Sequence, residues 1–122
     1  KSFVNGIVAL LASGGSTNLC IHLIAMARAA GLVITWSDFD RLSKVTPLLA
    51  HIYPNGSADI NHFQAAGGTG FLFQELIKVG FMHPDAKVCF GGELGDACIE
   101  PHLDGDRLQW RNAPDTSLDA MI

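Results

Sequence analysis

A glycine pair and three small polar residues, Gly14-Gly15-Ser16-Thr17-Asn18, split an otherwise apolar stretch from Phe3 to Ala30. Glycine costs about 1 kcal/mol relative to alanine inside a helix, so this stretch is expected to form two helices joined by a tight turn. Upstream, Val4, Ile7, Val8 and Leu11 recur at helical spacing. Downstream, Ser16, Thr17 or Asn18 can accept a bond from the uncapped N–H groups of the next helix. That second helix, Leu19 to Ala30, is apolar on nearly every side, which predicts an element buried within a larger body. Gly31 stands where a C-terminal glycine ends a helix.

The remainder reads as alternating short elements. Leu32-Val33-Ile34-Thr35-Trp36 is apolar and β-branched, which predicts a strand or an extended segment. Ser37-Asp38-Phe39-Asp40 resembles a capping box that opens a helix ending before Pro47. Leu48 to Tyr53 reads as extended and Pro54-Asn55-Gly56 as a turn. Asp59 is placed to cap a short helix running to about Ala66. A further helix is expected from about Gly70 to Val79, with Glu75 and Lys78 as a solvated pair. Beyond Pro84 short extended pieces follow, with Asp104-Gly105-Asp106 as a turn.

Composition narrows the function. Of the 122 residues 48% are hydrophobic and 16% charged, enough for one sizeable core and rather apolar for an independent domain of this size. We therefore expect a piece of a larger protein, with apolar surface meant for its neighbours. The net charge is -4 and no basic stripe alternates with aromatics, which argues against a nucleic-acid partner. The apolar stretches are broken well short of a membrane span. Cys20, Cys89 and Cys98 lack C-x-x-C spacing, so neither a disulfide framework nor a zinc site is expected, and a cytoplasmic location follows most simply.

Two turns carry the candidate chemistry. Gly14, Gly15, Ser16, Thr17 and Asn18 form an anion cradle or a plain helix cap: glycines admit close backbone approach, and a helix start offers N–H donors. The turn lacks the Gly-Lys-Ser/Thr ending of a phosphate-binding P-loop. Asp59, Asn61 and His62 set an acid, an amide and an imidazole at another helix start, where they are candidates for binding substrate or metal, while capping explains Asp59 equally well. His22, among Leu, Ile and Ala, is expected to be a core histidine bonded to a backbone carbonyl. No complete catalytic constellation is visible, and no metal-ligand set is assigned.

The strings Val4-Asn5-Gly6-Ile7-Val8-Ala9-Leu10-Leu11-Ala12-Ser13-Gly14-Gly15-Ser16-Thr17-Asn18 and His22-Leu23-Ile24-Ala25-Met26-Ala27-Arg28-Ala29-Ala30-Gly31 resemble the dihydroxy-acid and sugar-acid dehydratase family. Tyr53-Pro54-Asn55-Gly56, Ala58-Asp59-Ile60-Asn61-His62-Phe63, Ala65-Ala66-Gly67-Gly68 and Trp110-Arg111 are similar to its branch that takes a phosphorylated sugar acid. Leu19 and Cys20 stand where that branch typically has a polar residue.

The resemblance implies an α/β fold, with this chain a helix-rich fragment of a three-layer α/β/α N-terminal domain. Residues 1–122 would belong to that one domain, and a C-terminal β-barrel domain would lie outside the chain. It implies a hydro-lyase converting 6-phosphogluconate to a 2-keto-3-deoxy acid, with the fragment alone inactive. It also implies an iron–sulfur cluster, of the 4Fe-4S type, acting as Lewis acid, with a divalent cation as a further candidate cofactor. The cluster's motifs, Cys-Asp-Lys and Cys-Gly-Gly, belong upstream, and the base belongs to the second domain. The expected partners are a small sugar-acid substrate, the rest of the same polypeptide and a second copy in a homodimer. The alternatives are a dehydratase of another sugar acid or of branched-chain dihydroxy acids, and a stand-alone anion-binding module.

Overall fold

A computed structural model of the chain describes residues 1–53, 55–89 and 91–113. Among these, five α-helices precede a single 3₁₀ turn and one antiparallel hairpin, so the described part is helix-rich with a two-stranded sheet. Helix α1 spans Ser2–Ser13 and ends at Gly14, whose left-handed backbone (φ 65°) returns its own N–H to the Leu10 carbonyl. Helix α2, Thr17–Ala29, starts directly after the glycine pair.

α1 is the central element because its apolar residues point two ways. Val8 and Ala12 join a cluster with Ala50, Phe63, Phe71, Leu72 and Leu76. Ile7 and Leu10 join a second cluster with Leu23 and Phe39. Burying a side chain of this kind contributes about 1.5–3 kcal/mol relative to leaving it in water. Asn5 is buried as well and is fully used: its Nδ2 donates to the His83 carbonyl at 2.9 Å, and its Oδ1 accepts the His83 N–H at 2.8 Å. That bidentate clamp fastens the loop after the last helix to α1.

The expectation for α2 is burial within a larger body, and the described residues bury only one flank of it. In α2 only Leu23 and Ala27 are buried, whereas Ile21 and Met26 remain 53% and 50% exposed. Leu23 meets α1 at Gly6, where a Cβ would stand 3.4 Å from it. His22 is exposed rather than a core histidine. The described elements cover one flank of α2, and apolar composition alone does not say how many flanks have partners.

Helix α3, Trp36–Ser43, begins two residues earlier than the expected cap at Ser37 implies. Thr35 is its cap, and the Asp38 carboxylate accepts the Thr35 N–H at 2.9 Å, so the box uses Thr35 and Asp38 rather than Ser37 and Asp40. Residues 32–35 join no strand. Residues 49 and 50 both donate to the Ala12 carbonyl, laying the following segment across the end of α1. Helix α4 covers Ile60–Ala65 and α5 Gly68–Lys78, the latter starting at Gly68 instead of Gly70. Glu75 and Lys78 do pair, at 3.2 Å, but the Glu75 side chain is only 10% exposed. Pro54 of the predicted turn lies outside the described residues.

The chain then closes through a 3₁₀ turn, Leu94–Ala97, into strands β1, Ile99–Asp104, and β2, Arg107–Asn112. Gly105 (φ 64°) makes the hairpin turn. The register pairs Ile99 with Asn112 at the base and Asp104 with Arg107 at the tip.

Candidate substrate-facing site

The two turns singled out in the sequence lie on the same side of α1, where a cavity of about 920 Å³ opens. Gly14, Gly15, Ser16 and Thr17 line one side of it. Ile52, Tyr53, Asn55 and Ile60 come from the second turn and the start of α4. Leu10, Leu23, Phe63, Leu72 and Phe73 supply the apolar walls. Asn18, Asp59, Asn61 and His62 are not among the lining residues.

Asn55 joins the turns. Its Nδ2 donates to the Gly14 carbonyl at 2.6 Å, across 41 residues of sequence. The approach is so close that a Cβ on Gly14 would stand 2.5 Å from that nitrogen. Asn55 was not assigned a role from sequence, because nothing local in a Pro-Asn-Gly turn says that its amide reaches another turn. At the start of α2, the Ser16 Oγ accepts the Leu19 N–H at 3.4 Å, a long and weak cap. The first N–H groups of a helix have no partner within it; the Gly14 and Gly15 N–H groups are both bonded to the Leu10 carbonyl, so the candidate donors at the cavity wall are those of Ser16 and Thr17.

The other turn is occupied with itself. Asp59 Oδ1 accepts the His62 N–H at 3.1 Å, and His62 Nδ1 accepts the Asp59 N–H at 3.1 Å. A ring nitrogen that accepts leaves the ring proton on Nε2. Asp59 and His62 thus form a reciprocal cap of α4, with both side chains more than half exposed. The acid and imidazole are brought together, at 3.0 Å, but towards each other.

No carboxylate, imidazole or amine is among the residues lining the cavity. What this wall can do is accept and orient hydroxyl or acid groups through neutral donors. It holds no group suited to moving a proton near neutral pH.

The family profile described as "Dihydroxy-acid/6-phosphogluconate dehydratase N-terminal" matches residues 1–97. The chain belongs to this dehydratase family. It is 55% identical over 122 residues to the phosphogluconate dehydratase of Escherichia coli (strain K12), covering 100% of this chain and 20% of that protein. It is 53% identical over the same length to the phosphogluconate dehydratase of Pseudomonas aeruginosa, again covering 20% of it. To the dihydroxy-acid dehydratase of Thermus thermophilus it is 38% identical over 96 residues, 79% of this chain and 17% of that protein. The chain thus spans about a fifth of the length of the relatives it matches.

The cysteines of this dehydratase segment do not fit an iron–sulfur cluster. Cys20, Cys89 and Cys98 are all unpaired thiols, and among the described residues no three His, Cys, Asp or Glu side chains gather to hold a metal. Burial, and then the neighbouring Asp96 carboxylate, push the Cys98 thiol above its ordinary range, away from the thiolate that a metal takes. Cys89 precedes the 3₁₀ turn and Cys98 follows it, and the two are not bonded to each other. Among the described residues no helix is long and apolar enough to cross a membrane.

Proposed function

We propose that this chain is one part of a hydro-lyase that dehydrates 6-phospho-D-gluconate to 2-dehydro-3-deoxy-6-phosphogluconate in the Entner–Doudoroff pathway. The observation that carries the proposal is identity of 55% and 53% over the whole chain to two phosphogluconate dehydratases, against 38% over 79% of it to a dihydroxy-acid dehydratase. The segment's own part is to bind and orient. Gly14 and Gly15 shape the turn, Ser16 and Thr17 offer backbone donors and hydroxyls to the sugar-acid chain, and the apolar walls keep water from its far side. The proton acceptor, the 4Fe-4S cluster and any divalent cation are assigned to other parts of the parent polypeptide. The parent enzyme is a cytoplasmic homodimer in this reading.

The test is an anaerobic assay of the full-length parent polypeptide, following 2-keto-3-deoxy acid formation from 6-phosphogluconate, gluconate and dihydroxyisovalerate. Preference for the phosphorylated acid is the expected result. Preference for either other acid overturns the substrate while leaving the family intact.

A further inference from the structure

Among the described residues, the polar side chains at the cavity wall end in hydroxyls or an amide, those of Ser16, Thr17, Tyr53, Asn55 and Thr69 among them. Asn55 donates its Nδ2 to the Gly14 carbonyl at 2.6 Å, which leaves Oδ1 as an acceptor at this wall. The Ser16 Oγ accepts the Leu19 N–H at 3.4 Å and keeps its own proton to donate. Tyr53 lines the cavity with 79% of its surface exposed. Its backbone is fixed all the same. The Tyr53 N–H donates to the Ala58 carbonyl at 2.8 Å, beside a parallel bridge between Ile52 and Ala58. The Asn55 N–H closes on the Ile52 carbonyl, also at 2.8 Å. The turn that carries the phenol is thus ordered before a ligand arrives, which lowers the cost of binding one.

A hydroxyl both donates and accepts, whereas an ionised acid group only accepts. Anionic groups leaving water need cations or several converging donors. An acceptor such as Asn55 Oδ1 opposes an anion and suits a hydroxyl. The leucine and phenylalanine side chains of the same wall suit the C–H faces of a sugar chain. We propose that this wall takes the uncharged, hydroxylated carbons of the sugar acid, with the Tyr53 hydroxyl as their principal contact. The carboxylate and the phosphate are then held by other parts of the polypeptide. This rests on 6-phosphogluconate being the substrate and adds which part of it these residues touch. A phosphate seated against the start of α2 is the competing arrangement.

The test compares the full-length parent enzyme with its Tyr53→Phe variant, which keeps the ring and loses only the hydroxyl. kcat/KM is expected to fall about tenfold, the loss of one hydrogen bond, for 6-phosphogluconate and for gluconate alike. Where gluconate is not turned over, its inhibition constant supplies the same comparison. The melting temperature and inhibition by inorganic phosphate are expected to stay as they were. A fall confined to 6-phosphogluconate, or weaker inhibition by inorganic phosphate, puts the phenol on the phosphate and overturns the proposal. No fall with either acid overturns it too. Analogues of 6-phosphogluconate lacking the C4 or the C5 hydroxyl give a second reading. At least one is expected to lose about tenfold in kcat/KM with the parent enzyme and nothing further with Tyr53→Phe. Additive losses with both analogues overturn the contact. The substrate preference of the unsubstituted enzyme is measured first, so a wrong substrate shows itself separately from a wrong contact.

Discussion

The two polar turns look alike in sequence and differ in what their polar groups are free to do. Around Gly14 the backbone is held by glycine geometry and by the Asn55 amide, and the Ser16 cap is long. Ser16 and Thr17 stand at the cavity wall there, while the glycine N–H groups are spent on the Leu10 carbonyl. Around Asp59 each side chain accepts the other residue's backbone N–H, Asp59 Oδ1 from His62 and His62 Nδ1 from Asp59. A reciprocal cap engages one atom of each side chain, Asp59 Oδ1 and His62 Nδ1, in ending the helix. One turn is a reciprocal helix cap and the other borders the cavity, although both open helices.

The largest effect is expected in the second turn, and on stability. A Cβ on Gly56 would overlap the His51 carbonyl oxygen, with the carbonyl carbon at 2.5 Å. Those atoms are backbone and cannot swing aside as a flexible side chain can, so Gly56→Ala is expected to destabilise the full-length enzyme by about 3 kcal/mol, the upper part of the overpacking range. Denaturant unfolding checks this, and a midpoint like that of the parent would break the account of how tightly that turn is packed.

Gly14→Ala comes next. A left-handed conformation costs a non-glycine residue about 1–2 kcal/mol, and the new methyl would displace the Asn55 amide. Both stability and KM are expected to worsen. Asn55→Ala removes only the clamp and is expected to cost about 1 kcal/mol while raising KM. Unchanged KM in both variants would show that the position of the first turn does not matter to substrate.

Asp59→Ala should cost about 1 kcal/mol through loss of the cap, with kcat and KM unchanged and with Asp59→Asn restoring stability. A fall in kcat that Asp59→Asn does not restore would return the second turn to the site. The smallest stability changes are expected for Ser16→Ala and Asn18→Ala, a few tenths of a kcal/mol, because the Ser16 cap is weak and Asn18 is exposed. These two should nevertheless lower activity more than Cys89→Ser. Three equal, parent-like rates would reduce the first turn to structure.

The same contrast shows what could be read in advance. The break at Gly14-Gly15, the cap at Asp59, the stop before Pro47 and the hairpin turn at Gly105 were legible because each depends on local backbone preference. α1 and α2 were read alike as apolar helices, yet α1 is packed on two sides and α2 mainly through Leu23 and Ala27. Apolar composition states how much surface seeks a partner, and only the arrangement of other elements states where one arrives. Asn5 gave no local signal either, because its partner, His83, lies 78 residues away.

By itself the sequence determined the family, the order of the helices and the places where the chain must turn, since these follow from residue identity over short spans. The tertiary structure alone decided that Asn55 closes on Gly14 and that Asp59 and His62 cap each other's backbone N–H groups. Those outcomes depend on groups far apart in sequence meeting at distances of about 3 Å, where a hydrogen bond either forms or does not.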